Sequence, residues 1–181
     1  MTNFLRTLPD KVVILLFIAV GALLGLAGYT VSASNVTSYL TDDPSACTNC
    51  HVMSSYYASW SRSSHAMRTN CNDCHVPRQS VFRKYYFKAM DGSYHAAVFT
   101  AKAEPDVIRP RTASADVIME NCVRCHEQLN TEFVKTGMIS YTEATQGKGK
   151  ACWDCHREVP HTRISNLASA PAALAPLPGQ K

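Results

Sequence analysis

The chain has 181 residues, 46% of them hydrophobic, eight cysteines and a formal net charge of only +4. A charge so close to balance gives no sign of a nucleic-acid protein, and there is no Gly-rich loop to cradle a phosphate. What remains to be explained is the cysteines, which fall at 47, 50, 71, 74, 122, 125, 152 and 155 and leave none over.

Residues 1–11 form a short N-terminus in which Arg6 and Lys11 stand against Asp10. Val12 to Ala33, VVILLFIAVGALLGLAGYTVSA, carries no charge. At about 1.5 Å per residue such a helix reaches about 33 Å, enough to cross a bilayer core. Val31-Ser32-Ala33 also resembles a small-residue cleavage site, but the run is longer than the apolar core of a signal peptide, so an uncleaved anchor over 12–33 is expected. The positive-inside rule keeps the N-terminus in the cytoplasm and puts the rest, residues 34–164 with their tail, outside.

Thirteen residues after Ala33 comes the first motif, CTNCHVM, Cys47 to Met53. Each cysteine pair is followed at once by a histidine: His51, His75, His126 and His156. Cys-x-x-Cys-His is the pattern of covalent haem attachment, and composition alone would produce roughly 0.01 such pentads. The spacing has a physical reason. In a helical turn residues i and i+3 share a face that i+4 continues, which sets two thioether sulfurs at the porphyrin edge and the histidine beneath the iron. Disulfides or a four-cysteine zinc site would use the cysteines but not a histidine after every pair. Four covalently attached haem c groups are therefore expected, held by Cys47, Cys50, Cys71, Cys74, Cys122, Cys125, Cys152 and Cys155. About 130 residues of exported chain cannot build an ordinary core around four haems, so the haems must supply most of the buried apolar surface. The expected fold class is mainly α: one N-terminal transmembrane helix and a small helical tetrahaem domain organised by its haems.

The first two motifs are 24 residues apart and the last two 30 apart, which suggests two dihaem halves. Between them, Gln79 to Phe99 reads as helical with a break near Gly92, and Pro105 and Pro110 interrupt the pattern again. Ser114 is a plausible N-cap for a helix running into the third motif. Lys148, Gly149 and Lys150 form a loop before the fourth. Residues 165–181, rich in alanine and proline and without an aromatic residue, read as a mobile tail.

Four haems offer eight axial positions. The motif histidines can take four, and His65, His95 and His161 are the only others. Met53 adds a thioether, which raises a haem's potential relative to a histidine pair. The backbone after the first motif can turn either His51 or Met53 to the iron, or leave Met53 packed on the porphyrin, and the residues alone do not choose.

The chain resembles the NapC/NirT family of membrane-anchored tetrahaem quinol dehydrogenases over nearly its whole length, from the anchor through four motifs in this order. CTNCHVM carries the family's Cys-x-x-Cys-His-x-Met. WSRSSH ending at His65, CNDCHVP, MDGSYHAAVFT around Asp91 and His95, ENCVRCH, and CWDCHREVPH ending at His161 extend the likeness. WSRSSH and DGSYHAAVFT tilt it to the branch of cytochrome c nitrite reductase small subunits. The resemblance implies that Met53 binds the iron of haem 1, that His51 is displaced, and that the other face is left to a quinol. His75, His126 and His156 are then proximal ligands of haems 2 to 4. His65, His161 and His95 can fill the distal positions; if His95 faces the haem 1 pocket instead, one haem needs a ligand from a partner, for instance a lysine. Lys84 is implied to hold a quinol oxygen and Asp91 to lie at the open face of haem 1. Arg83 and Lys88 are left as a solvated basic face. The implied activity is oxidation of menaquinol at the periplasmic side of the cytoplasmic membrane. The implied partners are membrane lipid and a periplasmic pentahaem nitrite reductase catalytic subunit that makes ammonium. A different periplasmic reductase, a passive electron-transfer anchor without a quinol site, and a terminal reductase acting alone are the alternatives.

Overall fold

A computed structural model describes residues 8–129 and 140–161. The expected mobile tail at 165–181, and Arg6, lie outside the described residues. The described residues form helices, short 3-10 turns and loops, with no strand. The chain divides into two units that part between Leu40 and Thr41.

The first unit is dominated by α1, Asp10–Ala33, whose mean hydropathy is 2.6 and which buries none of its residues against protein. A helix that is apolar on every side and unburied has the length and composition to cross a membrane.

The second unit contains α2 (Ser54–Trp60), α3 (Cys71–His75), α4 (Val81–Thr100), α5 (Thr112–Cys125), α6 (Tyr141–Thr145) and α7 (Cys152–Cys155). Asn70 and Asp73 close a capping box on α3, and Ser140 and Glu143 close another on α6. The expected break at Gly92 is absent: α4 runs unbroken through it. A glycine inside a helix costs only about 1 kcal/mol relative to alanine, which a 20-residue helix with a packed face tolerates. Nor does Ser114 cap α5. The helix begins at Thr112 after Arg111, and the Ser114 side chain turns to Asp91 instead.

The buried apolar set is small and sits against the motifs. Ala46 precedes Cys47, Val52 follows His51, Val76 follows His75, and Ala151 precedes Cys152. Ala115 and Met119 are buried on one stripe of α5 and Val117, with Ser114 and Asn121, on another, on the way to Cys122. Phe87 alone anchors α4. Protein-only packing of this size holds the attachment sites in place but leaves the histidine and cysteine faces to be covered by something else.

Candidate haem and quinol sites

Three of the four motifs are built alike. Motif 2 is the whole of α3; motifs 3 and 4 end α5 and α7, with His126 and His156 at the C-caps. In each, the histidine N–H donates back to the carbonyl four residues earlier or caps that turn, so cysteine, cysteine and histidine share one helical face. Motif 1 departs from this. A 3-10 turn over Pro44–Asn49 stops at Cys50, whose backbone is extended (φ −97°, ψ 108°), and a new turn starts over His51–Met53. The break swings His51 out of line. Its ring lies edge-on to Phe99, with centroids 5.8 Å apart.

The motifs follow one another in space. Cys47 hydrogen-bonds Cys71, and Cys122 hydrogen-bonds Cys152, so the first cysteines of motifs 1 and 2, and of motifs 3 and 4, meet in pairs. Motifs 2 and 3 are strapped by Asn121. It is buried, and its amide donates to Cys74 O and to Val76 O, each at 3.0 Å. Arg124 adds a bond to Asp73 O at 3.3 Å.

Histidines are paired across the fold. His75 and His161 lie 6.2 Å apart at the ring centroids with planes within 7° of parallel. His65 and His126 lie 6.1 Å apart. Two imidazoles bound at about 2 Å on opposite sides of one metal hold their centroids roughly 6 Å apart, so both pairs fit a bis-histidine iron. Ser64 Oγ lies 3.3 Å from His65 Nδ1, which directs Nε2 to the other side of the ring. Surrounding protein, and then the neighbouring His161, push the His75 imidazole down to about 4, although the residue is exposed by surface area. It is therefore kept neutral, the form that ligates a metal. A hollow of about 540 Å³ borders Arg124, Cys125, His126, Glu127 and Gln128, the size of a cofactor site. Tyr56 on α2 meets the edge of His161 with centroids 5.4 Å apart. Donor set, spacing and hollow fit haem c.

His156 has no histidine ring paired with it among the described residues, which include all seven histidines. His95 stands elsewhere, on α4, with Nε2 3.6 Å from Asp91 Oδ2 and 63% of its side chain exposed.

Lys84, Lys88 and Asp91 occupy the inward stripe of α4, at 17%, 13% and 13% side-chain exposure. The solvated face assigned to Lys88 is thus corrected: spaced i, i+4 and i+7 with Phe87, it shares the packed side of the helix. Arg83 is the exposed one, 3.5 Å from Glu120. Lys84 and Asp91 take separate partners. Asp91 Oδ1 accepts from Arg111 Nη1 at 3.0 Å and from Ser114 Oγ at 3.2 Å, and Arg111 also lies over the Tyr94 ring. Lys84 Nζ donates to Asp42 Oδ2 at 2.5 Å, and Lys88 Nζ lies 3.3 Å from Asp42 Oδ1. Partial burial opposes ionisation of Asp42, but bonds from Lys84, Asn72 and Lys88 outweigh it and hold the carboxyl well below the usual range. Asp42, Arg111 and Asn121 escape a sequence reading because their partners lie 20 to 47 residues away.

Residues 8–166 match the NapC/NirT cytochrome c family, N-terminal region. Among individual proteins, the chain is 37% identical over 153 residues to the cytochrome c-type protein NrfH of Wolinella succinogenes, covering 83% of this chain and 86% of that one. It is 31% identical to the cytochrome c nitrite reductase subunit NrfH of Nitratidesulfovibrio vulgaris, covering 84% and 87%. Its fold is similar to a chain in a crystal structure of the cytochrome c nitrite reductase NrfHA complex bound to the HQNO inhibitor. That match has a TM-score of 0.57 and 30% identity, over 85% of this chain and 96% of that one.

Proposed function

The chain belongs to the NapC/NirT cytochrome c family, and from that membership we propose that it is the membrane-anchored tetrahaem subunit that takes electrons from menaquinol and delivers them to a nitrite reductase catalytic subunit. The observation that carries the reading is the likeness, over most of both chains, to the two NrfH proteins, one of which is a nitrite reductase subunit by name. The fold match to a chain of a nitrite reductase complex supports the same partner. The anchor is α1, with the N-terminus in the cytoplasm and the haem domain in the periplasm by the charge pattern before it.

When bound, haem c supplies reversible one-electron transfer at its iron. The chain's eight motif cysteines hold the four groups. His75 with His161, and His65 with His126, are the ligand pairs of haems 2 and 3; the centroid spacings support this pairing. Met53 serves haem 1, a role supported by the break at Cys50 and by the packing of His51 on Phe99. His156 serves haem 4. Because His95 lies beside Asp91 rather than beside another imidazole, the second ligand of that haem comes from outside the chain, a lysine of the partner being the fitting donor.

Oxidation of a quinol to a quinone releases two electrons and two protons, and the protons need residues of this chain. Lys84 Nζ holds a quinol oxygen. Asp91 Oδ2 accepts the two protons in turn, passing each to solvent water before taking the next, while Arg111 and Ser114 fix Oδ1 and so orient the carboxylate.

The test is reduction of the purified, detergent-solubilised protein by menadiol, followed by haem absorbance. We expect rapid reduction of the wild type and slowing by about 10²-fold in Asp91→Asn with all four haems attached. A wild type that menadiol does not reduce, even with its partner bound, makes the chain a passive relay.

A further inference from the structure

We infer that Asp42 is the positioning residue of the quinol pocket: its carboxylate sets the ammonium of Lys84 in place for the quinol oxygen. This rests on the reading of Lys84 given above. Asp42 lies on the lead-in to motif 1, five residues before Cys47, and gathers partners from two other elements. Oδ2 takes Lys84 Nζ at 2.5 Å and lies 3.4 Å from Arg78 Nη1. Oδ1 takes Asn72 Nδ2 at 2.8 Å and Lys88 Nζ at 3.3 Å. The adjoining carbonyl, Thr41 O, accepts from Lys88 at 2.7 Å and from Asn72 at 3.3 Å. Arg78 is shared with Asp73, inside motif 2.

Two features make this more than a surface ion pair. Lys84 and Lys88 are 17% and 13% exposed, so neither ammonium could keep its place without a counterion; a partly buried, unpaired cation is costly and would swing toward water. And one end of the cluster leads directly into Cys47 while Asn72 lies within motif 2. The same carboxylate therefore ties Lys84 to the attachment sites of both first haems. An ammonium has three donors, and Asp42 engages one on Lys84, which leaves donors for a quinol oxygen. Three cations against the carboxylates of Asp42 and Asp73 also leave surplus positive charge, which favours that oxygen as it loses its proton.

The experiment measures the half-saturating menadiol concentration and the limiting rate of haem reduction in the full-length, haem-loaded protein in detergent. Asp42→Asn should raise the half-saturating concentration about tenfold and leave the limiting rate within about threefold, the signature of lost ground-state binding. Asp42→Glu, which keeps the charge, should recover most of that loss. Asp42→Asn combined with Lys84→Met should be no worse than Lys84→Met alone, because both remove one interaction. A four-haem Asp42→Asn protein with unchanged half-saturation, or penalties of Asp42 and Lys84 that simply add, overturns the proposal and leaves Asp42 a structural staple. If Lys84→Met itself binds menadiol normally, the quinol role of Lys84 falls first. Should Asp42→Asn fail to load four haems, Asn72→Ala carries the test. It removes the bonds to Oδ1 and to Thr41 O and leaves the Oδ2–Lys84 contact in place; a two- to threefold rise is expected, and no rise overturns the proposal.

Discussion

Asp42 ionises far more readily in the folded protein than in an unfolded chain, and that difference is a stability term with a definite sign. A depressed carboxyl stabilises the fold at every pH above its unfolded value of about 4 and loses that contribution as pH falls toward its folded value. The thermal stability of the haem-loaded protein should therefore fall as pH drops below about 4, and Asp42→Asn should unfold earlier at pH 7 with a flatter acid limb. A variant with the same acid limb as wild type would show that the cluster contributes no net stability. The other residue-scale question is the one raised by CTNCHVM. If the turn at Cys50 delivers Met53 and not His51, then Met53→Leu alters the ligand-field spectrum and lowers the potential of one haem. His51→Ala should leave both unchanged, costing only the edge contact with Phe99. Redox titration with near-infrared spectroscopy separates the two; a spectral loss in His51→Ala and none in Met53→Leu reverses the assignment.

Among the elements, α4 and α5 bear most of the burden. α4 presents Lys84, Phe87, Lys88 and Asp91 on one side and runs through Gly92 without a break. A Cβ built at Gly92 would meet nothing within 4 Å. Gly92→Ala should thus stabilise the domain by about 0.5–1 kcal/mol, read as a raised urea midpoint, since only the helical entropy cost changes. α5 ends in motif 3 and holds motif 2 through Asn121. Asn121→Ala removes the two bonds it donates, with the one it accepts from Arg124, and strands Val76 O in a buried place and Cys74 O in a half-buried one, at a cost of about 1–3 kcal/mol per unpaired group. The same variant should disturb the redox behaviour of haems 2 and 3 more than that of haem 4, because those two attachment sites lose their strap. Equal shifts at all four haems would mean a general loosening instead.

At the scale of the whole molecule, the order of motifs along the chain is also their order in space: 1 beside 2, 2 against 3, 3 beside 4. Such an arrangement suits a path of electrons from one end to the other. On the ligand assignment proposed above, it would leave an unfilled position at both ends, at Met53 and at His156, with histidine pairs in the middle. Electron paramagnetic resonance of the isolated protein should accordingly show two haems outside the bis-histidine class. Adding the nitrite reductase subunit should convert one of them to a six-coordinate, low-spin form and leave the other unchanged. Four six-coordinate haems in the isolated chain would place His95 back among the ligands.

What the amino-acid sequence determined by itself is local and covalent. Cys-x-x-Cys-His spacing specifies attachment because both thioethers and the histidine come from one turn, and an uncharged run such as Val12 to Ala33 specifies a spanning helix because length and hydropathy are properties of a single segment. The paucity of core was legible too: about 130 residues with four motifs leave little chain for an apolar interior, and the buried apolar set among the described residues is small. The tertiary structure decided everything that depends on partners far apart in the chain. It set His75 against His161, 86 positions away, and His65 against His126, and it left His95 with Asp91. It turned Lys88 inward and gave Lys84 to Asp42 and Asp91 to Arg111. Pattern carries no information on such choices, because a histidine, a lysine or an aspartate has the same ligating and bonding capacity wherever it stands. Only the packing of α4 and α5 around the motifs selects which of those capacities is used.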